Sequence, residues 1–301
     1  MPFRSKVLLN LAAVCFAAVA IVGCGSGSAK PFSTSTSSLL PPSSGTSDPS
    51  VGTGSNSGAP GTSTNTGGGA PAPAPAPTSA TGVPSGAQSF NNIEQMGGWQ
   101  SCSECAGKNA HGPKAQFSMN QHQKSPSLDG NSTEFHIGGK KPYSDAIWWR
   151  NLGPVGKASH FVFDLNFYIQ NPGVSEGLEF DINVAQGGRY YVFGNQCSPL
   201  ASHTWDTWDM NRGTWNSTGI TCNTFPANQW NHVTIEVERT SNNQLHWVSI
   251  TYNGSKHYVD RYVSSQKTGF ADGASIDFQM DGNFRQDAYS TWLDKVNLSY
   301  F

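Results

Sequence analysis

The sequence predicts an all-β fold, an antiparallel two-sheet β-sandwich, standing behind a long N-terminal stretch with no core of its own. Three observations predict it. All nine Trp and all nine Tyr lie beyond residue 98, so the material for a core is confined to the C-terminal two thirds. That region alternates apolar and polar residues with period two, the mark of half-buried antiparallel strands. No long segment carries the 3.6-residue period with helix caps.

The strands follow in order. Residues 160–169 place Phe161, Phe163, Leu165, Phe167 and Ile169 on one face. Residues 178–184 turn Leu178, Phe180, Ile182 and Val184 inward and Glu179, Asp181 and Asn183 outward. Residues 190–193, 232–239 and 245–252 read as strands too. Residues 275–281 set Ile276, Phe278 and Met280 against Asp277, Gln279 and Asp281, and 292–300 close the chain. Asn253-Gly254 between two such runs predicts a hairpin, because a type I′ turn needs positive φ at both central positions. The folded unit spans residues 88–301, a length suited to one large β domain. It holds 15 Lys and Arg against 19 Asp and Glu, a net charge near −4. That is no basic footprint for nucleic acid.

The N-terminus is built differently. Arg4 and Lys6 precede the apolar run of residues 7–22, which is short for a bilayer span of about 20 residues. Ile21-Val22-Gly23-Cys24 then resembles the bacterial lipobox. The resemblance implies a signal peptide over 1–23, lipid on Cys24, attachment to a membrane, and a place at the outer membrane or cell surface, since no Asp follows the Cys. Residues 24–87 are almost wholly Ser, Thr, Gly, Pro, Ala and Asn. Such a composition cannot bury enough apolar surface to offset its ordering entropy, so it predicts a disordered tether. Random-coil scaling gives it roughly 40–50 Å end to end.

Four Cys remain in the domain, and exported proteins use an even set as disulfides. Of three pairings, Cys197–Cys222 and a local Cys102–Cys105 are favoured. The rival for Cys102-x-x-Cys105 is a redox motif or a zinc half-site, with His111 and His122 as the local candidates.

The phrase Trp230-Asn231-His232-Val233-Thr234 before a strand and the final Trp292-Leu293-Asp294-Lys295-Val296-Asn297-Leu298 resemble the concanavalin A-like lectin/glucanase superfamily. The resemblance spans about 160–301. It implies two curved antiparallel sheets in a concanavalin A-like jelly roll, glycan binding on the concave face or its rim, and in many members a structural calcium ion; no other cofactor is implied. It also directs attention to Glu179-Phe180-Asp181. Retaining glucanases of this fold carry a third acid on the same strand, because one carboxylate attacks and another protonates the leaving oxygen. Here Asn183 stands in that place, and an amide is no general acid. Glu179 and Asp181 are left to bind sugar hydroxyls, hold a cation or face solvent, with Glu179 the catalytic residue if the chain is an enzyme.

Trp205, Trp208 and Trp215, interleaved with Asp206 and Asp209 between the second pair of cysteines, read either as a loop in which at least one Trp stacks on a sugar face while the polar residues pair with hydroxyls, or as core residues of the β fold; at i, i+3 and i+10 they cannot all share one strand face. Tyr191 and Asn195 are expected to line the same site. Of Trp148-Trp149, one is expected in the core. The leading reading is a lipid-anchored, non-catalytic carbohydrate-binding domain whose partner is a polysaccharide. The alternatives are a glycoside hydrolase or polysaccharide lyase, and an envelope adhesion protein.

Overall fold

The computed structural model describes residues 82–103 and 115–301. The predicted signal, Cys24, nearly all of the tether, Cys105 and His111 lie outside these residues. Among the described residues the strands are β1 (Gln88–Phe90), β2 (Gln100–Cys102), β3 (Gln116–Gln123), β4 (Ser132–Gly138), β5 (Asp145–Gly153), β6 (His160–Ile169), β7 (Ser175–Gln186), β8 (Arg189–Phe193) and β9 (Asn195–Cys197). They continue as β10 (Thr204–Asp209), β11 (Thr214–Thr221), β12 (Trp230–Arg239), β13 (Gln244–Tyr252), β14 (Ser255–Ser264), β15 (Gln266–Lys267), β16 (Gly273–Gly282) and β17 (Tyr289–Tyr300). Single 3-10 turns at Ile93–Gln95 and Pro172–Val174 are the helical elements.

All pairings are antiparallel, and they build two sheets. The eight-stranded sheet runs β14-β13-β12-β6-β17-β4-β3, with β1 added to β17. The nine-stranded sheet runs β11-β10-β9-β7-β16-β5-β2, with β8 on β7 and β15 on β8. The chain is thus an all-β sandwich, as its alternation predicts. Phe163, Leu165 and Phe167 of β6 and Val233, Ile235 and Val237 of β12 meet Phe180 and Ile182 of β7 and Ile276 and Phe278 of β16. Each such side chain stabilises the fold by roughly 1.5–3 kcal/mol through burial. Phe135 sits edge-on to both Trp148 and Phe278, at centroid distances of 5.1 and 4.9 Å. The β13–β14 hairpin turns at Asn253 and Gly254, with φ of 46° and 84°. Asn tolerates the left-handed region through its short polar side chain, and Gly has no Cβ to oppose it.

Two expectations are corrected here. The segment 204–221 is a β-hairpin, β10 with β11, rather than a loop. Pairing sets Trp208 directly opposite Trp215, so these two share a face, and alternation sends Trp205 to the other side. Trp205 is accordingly buried between the sheets, near Phe180 and Tyr252. Second, the outward residues of β7 are not solvated. Both faces of β7 are buried, Glu179 completely.

The Cys197–Cys222 disulfide is present, with Cα atoms 5.7 Å apart. It joins β9 to the segment after β11, so the Trp hairpin emerges from a closed loop. Cys102 is disulfide-bonded as well.

Candidate functional site

The side chains with chemistry gather on the outer face of the nine-stranded sheet. On β7 that face carries Glu179, Asp181 and Asn183. Antiparallel register sets Gln279, Asp277 and Ser275 of β16 opposite them in turn, and Asp281 opposite Gly177. On the far side of β16, β5 adds Asp145, Ile147 and Trp149. Gly177 is needed here: a Cβ on it would stand 2.9 Å from Asp281 Oδ2.

The polar rows are stitched together by amides. Gln279 Nε2 donates to Glu179 Oε1 at 2.7 Å and to Asp281 Oδ1 at 3.0 Å. Asn183 Nδ2 donates to Asp277 Oδ2 at 2.6 Å, and the Ser275 hydroxyl donates to Asp277 Oδ1 at 3.2 Å. The backbone N–H of Asn195 donates to Asp181 Oδ1 at 2.8 Å. Glu179 Oε2 is buried with no hydrogen-bond partner. Burial, followed by the neighbouring charges of Asp281, Asp181, Asp145 and Asp277, pushes the Glu179 carboxyl well above the ordinary carboxylate range. Burial and Asp145 do the same to Asp281. Both hold their protons to higher pH than a solvated acid does.

Beside these rows lies an apolar cluster separate from the inter-sheet core. Ile147, Trp149, Ala185, Tyr190, Val192 and Trp208 form it, with Trp215 and Phe270 at its margin. Trp208 and Trp215 contact at a centroid distance of 5.2 Å. Their backing is Gly194, where a Cβ would lie 2.7 Å from Trp208 Cβ. Substituting Gly194→Ala is therefore expected to displace the pair and cost about 1–3 kcal/mol, as overpacking does. A lower melting temperature with a changed near-UV circular dichroism spectrum checks it; an unaltered spectrum counts against the placement.

The cluster and the polar rows meet at a pocket of about 190 Å³. Asn151, Asn183, Tyr190, Phe270, Asp272 and Ser275 are among its lining. Tyr190 and Phe270 stand edge to face, 5.4 Å apart at 88°, as an aromatic wall. Asn183 and Ser275 line it from β7 and β16 and continue directly into the Asp277 hydrogen bonds. Asp272 is held at the rim by the Gly187 N–H, at 3.0 Å. Apolar walls with a few placed polar groups are what a small-ligand site requires.

The residues singled out in the sequence divide. Glu179, Asp181, Asp206, Trp208 and Trp215 face the outer side of this sheet. Asp206 lies two strands from Glu179 and accepts from Ser202 at 2.7 Å and Thr204 at 2.6 Å, which anchors the loop before β10. Asp209 caps the β10–β11 turn, accepting from the N–H groups of Asn211 and Arg212. Tyr191 points the other way, into the core, where its hydroxyl donates to Asn243 and Arg239 lies over its ring. Asn195 is spent on the Phe180 and Phe193 carbonyls and on positioning Asp181. Trp148 is core and Trp149 outer, and both are buried. Tyr190, Phe270, Asn151 and Asp272 were not singled out. They share no sequence signal: Asn151 lies within β5, Tyr190 near the start of β8, and Phe270 and Asp272 in the link between β15 and β16. Among the described residues no group of three or more His, Cys, Asp or Glu is arranged to hold a metal ion.

No protein-family model matches the chain, and no curated protein matches it. Solved structures do. The chain is similar to the cellulose-induced protein Cip1, at 13% identity and a TM-score of 0.42 over 69% of this chain and 96% of that one. It is similar to the alginate lyase Aly36B in complex with alginate tetrasaccharide, at 14% identity and a TM-score of 0.42 over 70% and 96%. It is also similar to a carbohydrate-binding module of the β-sandwich superfamily, at 8% identity and a TM-score of 0.36, covering 67% of this chain and 57% of that one. At these identities and scores no residue of the site is assigned by the likeness.

Proposed function

We propose that this chain is a non-catalytic glycan-binding module, carried on a lipid-anchored tether at the cell surface, with its site at the Tyr190–Phe270 pocket. The observation that carries the reading is the pocket's composition. An aromatic wall meets the C–H face of a pyranose, and the Asn183 and Asn151 amides, the Ser275 hydroxyl and the Asp272 carboxylate meet its hydroxyls. The exposed Asp272 carboxylate at the rim and the net negative charge of the domain repel uronic acids, which favours a neutral polysaccharide. The lipid anchor and the surface location rest on the N-terminal sequence alone.

What supports the non-catalytic reading is the position of Glu179. It is fully buried and tied to Gln279, so no leaving oxygen reaches it. A hydrolase or lyase is the second reading. The feature favouring it is that Glu179 and Asp281, both proton-holding, are bridged by one amide of Gln279.

The test is affinity electrophoresis of the full chain through gels containing soluble β-glucan, xylan, mannan or alginate. Retention by a neutral polysaccharide is expected, weakened about tenfold or more in Tyr190→Ala and Phe270→Ala. Retention by none of the four, or retention unchanged in both variants, overturns the reading. Release of reducing ends that is lost in Glu179→Gln establishes the second reading instead.

A further inference from the structure

On the opposite sheet, β14 is an edge strand and carries two of the five exposed large hydrophobic side chains among the described residues, Tyr258 at 75% and Tyr262 at 50% exposure. Both face away from the core. Their partners on β13 are Ser249 and His246, whose side chains lie on the outer face with Glu236 and Glu238 of β12. Between the two tyrosines the β13–β14 register shifts, at Asp260.

The Tyr262 ring is held in place. It stacks flat on His246, with centroids 4.0 Å apart and planes 6° off parallel. His246 is itself clamped at both ring nitrogens: Nδ1 lies 2.7 Å from Glu238 Oε1 and Nε2 lies 3.0 Å from Asp260 Oδ1. One face of Tyr262 is thus fixed against the protein and the other is offered to solvent. Tyr258 has the Lys256 ammonium 5.3 Å from its centroid. A pre-ordered ring loses little side-chain freedom on binding, which is the usual cost of an exposed aromatic contact.

We infer that Tyr258 and Tyr262 form a second, flat carbohydrate platform for the surface of an extended, insoluble β-linked polysaccharide. Its chemistry is that of a sugar chain rather than of an apolar protein patch. Isolated ring faces alternate with Lys256, Asp260 and the His246–Glu238 pair, matching C–H faces that alternate with hydroxyls. Strand addition by a protein partner is opposed by two edge features, the charge of Lys256 and the irregularity at Asp260, where φ is 46° and the β13–β14 register shifts. The platform stands independently of the pocket: the two lie on different sheets and would take different physical forms of glycan.

The test is co-sedimentation of the full chain with microcrystalline cellulose and with insoluble chitin. The expected result is binding to at least one of them, weakened about tenfold or more in the Tyr258→Ala/Tyr262→Ala double variant. Tyr258→Phe/Tyr262→Phe, which keeps the rings, is expected to retain binding within about twofold, and Tyr190→Ala to retain it as well. No binding to either solid, equal binding by the alanine double variant, or loss of binding in the phenylalanine double variant overturns the platform. So does loss in Tyr190→Ala, which would assign all binding to the pocket. A change of oligomeric state in the alanine double variant without loss of binding also overturns it, because the face would then belong to a second copy of the chain.

Discussion

Replacing Cys197 and Cys222 together by alanine is expected to lower the unfolding free energy by about 3 kcal/mol. The bond closes a loop with a sequence separation of 25, and the cost of leaving that loop open falls on the unfolded chain's side of the balance. For a domain of this size about 3 kcal/mol lowers the melting temperature by about 6–12 °C, readable by calorimetry. The native-state consequence is local. β9 is three residues long and pairs with β7 on one side and β10 on the other. Without the crosslink the Trp208–Trp215 hairpin depends on that short strand, so its backbone amides should exchange faster than those of β7 or β16. An unchanged melting temperature, or uniform exchange across the sheet, would show that the hairpin is held by packing alone.

The second large effect is on pH dependence. Burial raises the carboxyls of Glu179, Asp281, Glu176 and Asp206, and it pushes Glu94 up to about 7. A raised carboxyl keeps its proton in the folded state where the unfolded chain has lost it. Unfolding then releases protons, so stability is full below about pH 4 and falls as pH rises through the folded value. Glu94 alone contributes on the order of 3 kcal/mol to that fall between pH 4 and pH 8. Glu236 has the opposite sign: hydrogen bonding from His160 lowers it to about 2, so it acts only below the window of interest. The expected result is a melting temperature higher at pH 5 than at pH 8 by about 5–10 °C. Glu94→Gln and Glu179→Gln should each flatten the curve. A melting temperature that rises from pH 5 to pH 8 would refute the protonated state of these buried carboxyls.

The alternation of β6, β7, β12, β13, β16 and β17 was legible residue by residue, because each apolar face must meet the other sheet. So was the Asn253-Gly254 turn, whose φ values only a few residues accept. The Cys197–Cys222 bond could be favoured from spacing. The site was not legible in the same way. Counting along one strand finds Glu179 and Asp181 and then the missing acid at Asn183. The neighbouring carboxylates come instead from β16 and β5, at positions that only register can bring alongside. Tyr190 and Phe270 lie 80 residues apart in sequence, and nothing in the period-two pattern joins them. The Trp segment misled because its turn, 210–213, is polar and its strands are short. Once paired, spacing of seven across a hairpin puts Trp208 against Trp215, whereas spacing of three along one strand sends Trp205 inward.

The attachment of β1 has a mechanical consequence. Gln88, Ser89 and Phe90 pair with Tyr300, Ser299 and Leu298 of β17, and just beyond them the Glu94 carboxylate accepts from the N–H groups of Lys295 and Val296. A pull arriving from the N-terminal side therefore meets three short backbone pairings first and a carboxylate clamp second. Both transmit load to β17, which lies between β6 and β4 inside the eight-stranded sheet. The hinge-like β1 peels before any core strand is asked to slide. The nine-stranded sheet, with the pocket, stays off the load path of such a pull.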